Sequence, residues 1–195
     1  MLASAQLTCD DMLEFSIPAL TAIVYADGPA FGRLSRRIAA LLARDGRVCA
    51  GFVQHDEPRP GRSRCDMIIE DLRSGARVRI SEDRGAEARG CRLDPDALTA
   101  AVEAARRTLG HDVDVLLLSK FGKSETEGSG FRPLLAQALE YGIPVIVGVP
   151  QRNLENWRVF AEGLAQEMAA EALAQASDAT VLAALAVPRR TVVAE

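Results

Sequence analysis

The run Thr21-Ala22-Ile23-Val24-Tyr25, followed almost at once by Asp27-Gly28-Pro29-Ala30-Phe31-Gly32-Arg33-Leu34, most narrows what this chain can become. The first segment is a compact, β-rich apolar run of the length of a buried strand. The second holds two glycines and a proline and reads as a turn. From there to residue 44 the apolar residues Leu34, Ile38, Leu41 and Leu42 recur at helical spacing. Gly46 stands where a C-cap glycine is expected, and residues 47–53 return to an extended pattern. Strand, turn, helix and strand within about thirty residues form a βαβ unit.

The rest of the chain continues the alternation. Residues 66–72 and 76–80 flank Arg73-Ser74-Gly75 and read as a β-hairpin, Gly75 supplying the positive φ of the turn. Asp94 and Pro95 open a helix to residue 109 as N-cap and first helical residue. A second apolar strand covers 113–118, a glycine-rich polar loop 119–130, a helix 131–141 and a third buried strand 144–149. Residues 155–176 read as one alanine-rich helix and 178–185 as another. Residues 55–65, with Pro58 and Pro60, read as an exposed charged loop. Short apolar strands alternating with helices predict an α/β fold: three layers around a mainly parallel sheet, with an inserted β-hairpin. A chain of 195 residues suits one core. We divide it into an N-terminal extension (1–19), one α/β domain (20–187) and a loose tail (188–195).

In such a sheet ligands sit at the carboxyl ends of the strands, and residues 27–34 occupy that place. Their layout is that of a phosphate-binding loop, G-x-x-x-x-G-K-[ST], with its chemistry exchanged. Asp27 replaces the first glycine, Arg33 the lysine and Leu34 the hydroxyl residue. The backbone of Gly28, Pro29, Ala30, Phe31 and Gly32 is the candidate anion cradle, with Arg33 as its charge. Leu34 cannot ligate Mg²⁺, and Asp27 repels phosphate unless Arg33 pairs with it. The matching strand 115–118 ends in Ser119 and Lys120, where a phosphohydrolase carries acidic residues. Lys120 there repels Mg²⁺ and attracts an anion. Gly122, Lys123, Glu125, Glu127 and Gly128 form a candidate lid over the site.

The spacing at this second strand end resembles the nucleoside-triphosphatase family first known from thermophiles, which carries a Gly-Lys-x-Glu segment after its acidic pair. Gly122, Lys123 and Glu125 match that segment, and the resemblance implies a P-loop nucleoside-triphosphatase-like fold with a degenerate Walker motif. The chain is also similar to an uncharacterised bacterial family at Gly51-Phe52-Val53-Gln54, Asp71-Leu72-Arg73-Ser74-Gly75, Cys91-Arg92-Leu93-Asp94-Pro95 and Lys120-Phe121-Gly122-Lys123 with Glu125, Glu127 and Gly128. That second resemblance implies a gene neighbourhood near molybdate uptake.

Composition excludes several functions. With 23 basic and 27 acidic residues the net charge is −4, which argues against nucleic-acid or anionic-membrane binding. No apolar run reaches membrane-spanning length. Cys9, Cys49, Cys65 and Cys91 are scattered, and His55 and His111 have no cysteine at ligand spacing, so no metal site is expected. Asp10, Asp11 and Glu14 stand where a leader would be basic, and a cytoplasmic location is expected.

The leading expectation is a non-hydrolytic binding protein for an oxyanion or nucleotide phosphate, accessory to molybdenum handling. A first alternative is a Mg²⁺-dependent triphosphatase or kinase-like enzyme in which Glu125 holds the metal and Arg33 the β- and γ-phosphates. A second is a scaffold with a vestigial loop filled by its own Asp27–Arg33 pair. The ligand expected is a small anion or nucleotide, and a protein partner or homo-oligomer stays open.

Overall fold

The computed structural model describes residues 20–58, 60, 65–82 and 93–188. The N-terminal extension, the tip of the 55–65 loop, residues 83–92 with Cys91 and Arg92, and all but the first residue of the tail lie outside the described residues.

In chain order the elements are β1 (Leu20–Tyr25), α1 (Gly28–Arg44), β2 (Cys49–Glu57), β3 (Asp66–Asp71), β4 (Arg77–Arg79), α2 (Pro95–Thr108) and β5 (Val115–Leu118). There follow α3 (Lys123–Thr126), α4 (Arg132–Glu140), β6 (Val145–Pro150), a 3₁₀ turn (Gln151–Asn153), α5 (Leu154–Ala161), β7 (Ala165–Ala169), α6 (Ala170–Gln175) and α7 (Asp178–Leu185). One seven-stranded sheet runs β4-β3-β2-β5-β6-β1-β7. The five strands β2, β5, β6, β1 and β7 are parallel, and the β3–β4 hairpin adds to β2 antiparallel. The predicted three-layer α/β architecture is the one observed.

Because β5 and β6 are covered on both faces, every residue of both strands is buried, which explains their unbroken apolar sequence. Alternate residues feed two cores. Ile23, Val115, Leu117 and Ile146 pack under α1, α6 and α7, while Ala22, Leu116, Leu118 and Val147 pack under α2, α4 and α5. The caps fall where sequence places them. At the end of α1, Gly46 N donates to Ala43 O and Arg47 N to Leu42 O, closing the helix. At the start of α2 the Asp94 carboxylate accepts from Ala97 N at 2.9 Å.

Two expectations are corrected. The single helix over 155–176 is instead α5, β7 and α6: Glu162 and Gly163 adopt positive φ, break the helix and let Ala165–Ala169 pair with the edge of β1. Residues 55–57, read as exposed loop, extend β2 against β3, with His55 Nε2 and Glu70 Oε2 2.7 Å apart across the pair.

Candidate ligand site at the carboxyl edge

The turn after β1 is shorter than a phosphate loop. α1 begins at Gly28, so the candidate cradle is the first turn and a half of a helix. Asp27 caps that helix. Its carboxylate accepts from Ala30 N at 3.0 Å, and its carbonyl accepts from Phe31 N at 3.0 Å. Pro29 has no amide proton to offer. The amides of Ala30 and Phe31 are therefore already taken, one of them by an internal carboxylate. Asp27 does not pair with Arg33, which corrects the internal ion pair considered from sequence. Arg33 is exposed and has no partner among the described residues.

Phe31 does not face a ligand. Its ring is buried and stacks on Tyr25, with centroids 4.2 Å apart and planes 3° apart. It also presses on Gly148 of β6. A Cβ at Gly148 would collide with the Phe31 ring and lie 2.7 Å from Ser119 O, so only glycine fits there. The helix following β1 lies on one face of the sheet and the helix following β6 on the other, which makes the β1–β6 boundary the topological switch point. Phe31 fills that crevice. Burial pushes the Tyr25 phenol up to about 12, opposed by the nearby Arg152.

The end of β5 is built differently. Ser119 is buried, and its Oγ has no hydrogen-bond partner among the described residues. Phe121 N donates to Gly148 O at 2.7 Å, and Phe121 O accepts from Asn153 Nδ2 at 2.8 Å, fixing the chain as it leaves the sheet. Lys120 is half-buried, its stem running along Gly122, and it makes no ion pair among the described residues.

Glu125 is the centre of the next segment and does not face outward. Its side chain is buried. Oε2 accepts from Gly122 N at 2.6 Å and Oε1 from Phe131 N at 2.9 Å, while its carbonyl accepts from Arg132 Nε at 2.5 Å. Burial pushes its carboxyl above the ordinary carboxylate range, opposed by the two backbone donors and by the charge of Lys120. Gly130, at φ 64°, brings its backbone so close that a Cβ would collide with Oε1 of Glu125. The segment read as a lid is tied at its centre by one carboxylate, and Lys123 and Glu127 meet across its exposed face at 3.5 Å. With both oxygens engaged by main-chain amides, Glu125 does not present a free carboxylate for a metal. Among the described residues no three His, Cys, Asp or Glu side chains come together as a metal-binding group.

This tied segment forms one wall of a cavity of about 520 Å³. Met67 and Ile69 of β3, Ile80, Leu98 of α2 and Phe131 supply its apolar surface. Lys120, Gly122, Lys123, Glu125 and Glu127 border it, so the second strand end and the lid residues share one site. The first-loop residues do not join them: Ala30 and Phe31 border a separate cleft of about 70 Å³ with Tyr25 and Ala170. Three polar residues at the cavity escape sequence reasoning. Arg152 and Asn153 sit on the 3₁₀ turn after β6, and Gln54 on β2. Gln54 O accepts from Arg36 Nη1 at 3.1 Å. The available signal was positional, since β2 and β6 flank β5 and their carboxyl ends must open onto the same edge.

Residues 20–177 match the family described as "Protein of unknown function (DUF2478)". Among curated proteins the chain is similar to the Molybdenum import ATP-binding protein ModC 2 of Bradyrhizobium diazoefficiens, at 31% identity over 161 residues. That match takes in 83% of this chain but only 18% of the length of the relative. Among solved structures it is similar to THEP1 from the hyperthermophile Aquifex aeolicus, with a TM-score of 0.53 and 18% identity, over 76% of this chain and 87% of the other. The second likeness shows that the chain shares the fold of THEP1.

Proposed function

We propose, for a chain that belongs to the DUF2478 family, a non-hydrolytic binding role on a P-loop fold, engaging an oxyanion or a nucleotide phosphate at the carboxyl edge of the sheet. One observation carries the reading: the Asp27 carboxylate occupies the first turn of α1, where a hydrolase would hold phosphate. Leu34 and Ser119 then leave Mg²⁺ without its two protein ligands, and phosphoryl transfer depends on such positioning. What remains for an anion is side-chain charge. Arg33 and Lys120 form no ion pair among the described residues, and Lys120 lies at the larger cavity. The likeness to part of a much longer molybdenum-import ATP-binding protein supports a place beside such an ATPase, as an accessory or regulatory module in molybdate uptake.

The test is calorimetric titration of the purified protein with molybdate, sulfate, phosphate and ATP, each with and without Mg²⁺. The reading expects binding that ignores Mg²⁺, weakens in Lys120→Met or Arg33→Met, and releases no phosphate from ATP. Binding that requires Mg²⁺ and turns over ATP would refute it. The filled first turn of α1 also favours a scaffold reading, which predicts no heat with any anion and a complex with the ATPase alone.

A further inference from the structure

The cavity beside Lys120 is larger and more apolar than an inorganic oxyanion needs. Molybdate, sulfate or phosphate would ask for converging donors in a small polar nest. Here about 520 Å³ lies between the β2–β3 side of the sheet, the first turns of α2 and the wall built on Glu125. That volume falls within the range of roughly 300–1,000 Å³ typical of organic small-molecule sites. Most of its surface is apolar, and Met67, Ile69, Ile80, Leu98 and Phe131 are among the residues that line it. Three cations border it: Lys120 just after β5, Arg152 just after β6, and Lys123 on the wall, where it pairs with Glu127. Gln54 and Asn153 border the same region, and Asn153 already commits its amide nitrogen to Phe121 O.

The wall is preformed. Glu125 is held by the amides of Gly122 and Phe131, and Gly130 is packed against it. A ligand therefore has little segment ordering to impose, which favours affinity. Lys120 owes a share of its field to buried Glu125, but no carboxylate lies within ion-pair distance of it among the described residues. Its ammonium is available to a second anion.

We infer that this cavity binds an amphipathic organic anion, an apolar and flat body carrying one sulfonate-, carboxylate- or phosphate-like group, with the body against Leu98 and Ile80 and the charge at Lys120 and Arg152. The inference rests on the anion-binding reading above and narrows it: Lys120, not Arg33, holds the headgroup, and the ligand is organic. The crevice at the first strand takes no part, because Phe31 fills it.

The experiment compares two fluorescent probes of nearly identical body, 8-anilinonaphthalene-1-sulfonate and the neutral N-phenyl-1-naphthylamine, titrated into the full chain. The sulfonate is expected to saturate at one site per chain and to bind about tenfold tighter than the neutral probe, the size of one good charge-assisted contact. In Lys120→Met that difference should collapse, and in Arg33→Met it should persist. Leu98→Trp and, at the half-exposed β3 wall, Met67→Trp fill the space and should abolish both probes; the second keeps the test valid if the first does not fold. Equal affinity for the two probes, many weak sites, or undiminished binding in a folded Met67→Trp variant overturns the inference. If molybdate binds through Lys120 while the sulfonate probe does not, the organic ligand falls and the oxyanion reading stands. If the probe binds as expected and no inorganic anion does, the reverse holds.

Discussion

Replacing Glu125 with glutamine separates a structural carboxylate from a metal ligand. The side chain is 5% exposed, and its two oxygens accept from Gly122 N and Phe131 N at 2.6 and 2.9 Å. Glutamine keeps the shape but turns one acceptor into a donor facing a main-chain N–H. One buried amide proton is then stranded, at a cost of about 1–3 kcal/mol, and the surviving bond loses its charge assistance. Relief of the buried charge offsets part of this, leaving a net loss of about 2 kcal/mol. For a domain of this size that corresponds to a melting temperature lower by roughly 4–8 °C.

The pH dependence carries a sign. The Glu125 carboxyl is raised above its ordinary value, so between that value and the raised one the folded state holds more protons than the unfolded state. Its stabilising contribution is complete below the unfolded value of about 4.3 and declines as pH rises through the raised one. The gap between wild type and Glu125→Gln should therefore be widest near the acid end and narrow toward neutrality. Thermal melts followed by circular dichroism over that range provide the assay. A variant that melts within a degree of wild type at every pH, yet loses a response to Mg²⁺, would refute the argument and return Glu125 to the role of metal ligand.

The same wall predicts that Gly130→Ala is at least as damaging as Glu125→Gln, because the new methyl collides with the carboxylate and φ is 64°; denaturant melts would read a lower midpoint at unchanged slope. Phe31→Ala empties the switch-point crevice and should cost about 3–5 kcal/mol, measured by the same melts. Asp27→Ala removes the cap from α1 and should cost about 1 kcal/mol while freeing the Ala30 amide; calorimetry should then show phosphate binding stronger than in wild type, and an unchanged affinity would deny Asp27 its role as occupant.

Sequence carried the sheet because β1, β5 and β6 are buried on both faces and can be little else. Capping chemistry carried the start of α2, since Asp94 acts through a local bond, but the same role of Asp27 at the start of α1 was hidden by reading residues 27–33 as a phosphate loop. β7 was illegible for a different reason. Ala165 to Ala169 holds good helix formers, and only pairing with β1 makes the segment a strand. Gly163 was the one local sign of a break. At the candidate site, Lys120 could be singled out from its place at a strand end, but the partners it meets come from elements far apart in sequence. The inward turn of Glu125 depends on a contact with Phe131, six residues on, that no motif encodes. The two-glycine turn after β1 suggested an open loop, whereas the cap by Asp27 starts the helix at once.

The two borders of the sheet bear on how this domain can meet a neighbour. β4 is three residues long, and its Arg77 and Arg79 pair with Glu57 and Asp66. β7 carries Glu167, which Arg158 grips through both oxygens at 2.9 Å. Short length and charge at the rims discourage another strand from adding to the ladder. The sheet is thereby closed to extension at both rims, and the surfaces left for contact are its helical faces and the ends of its strands.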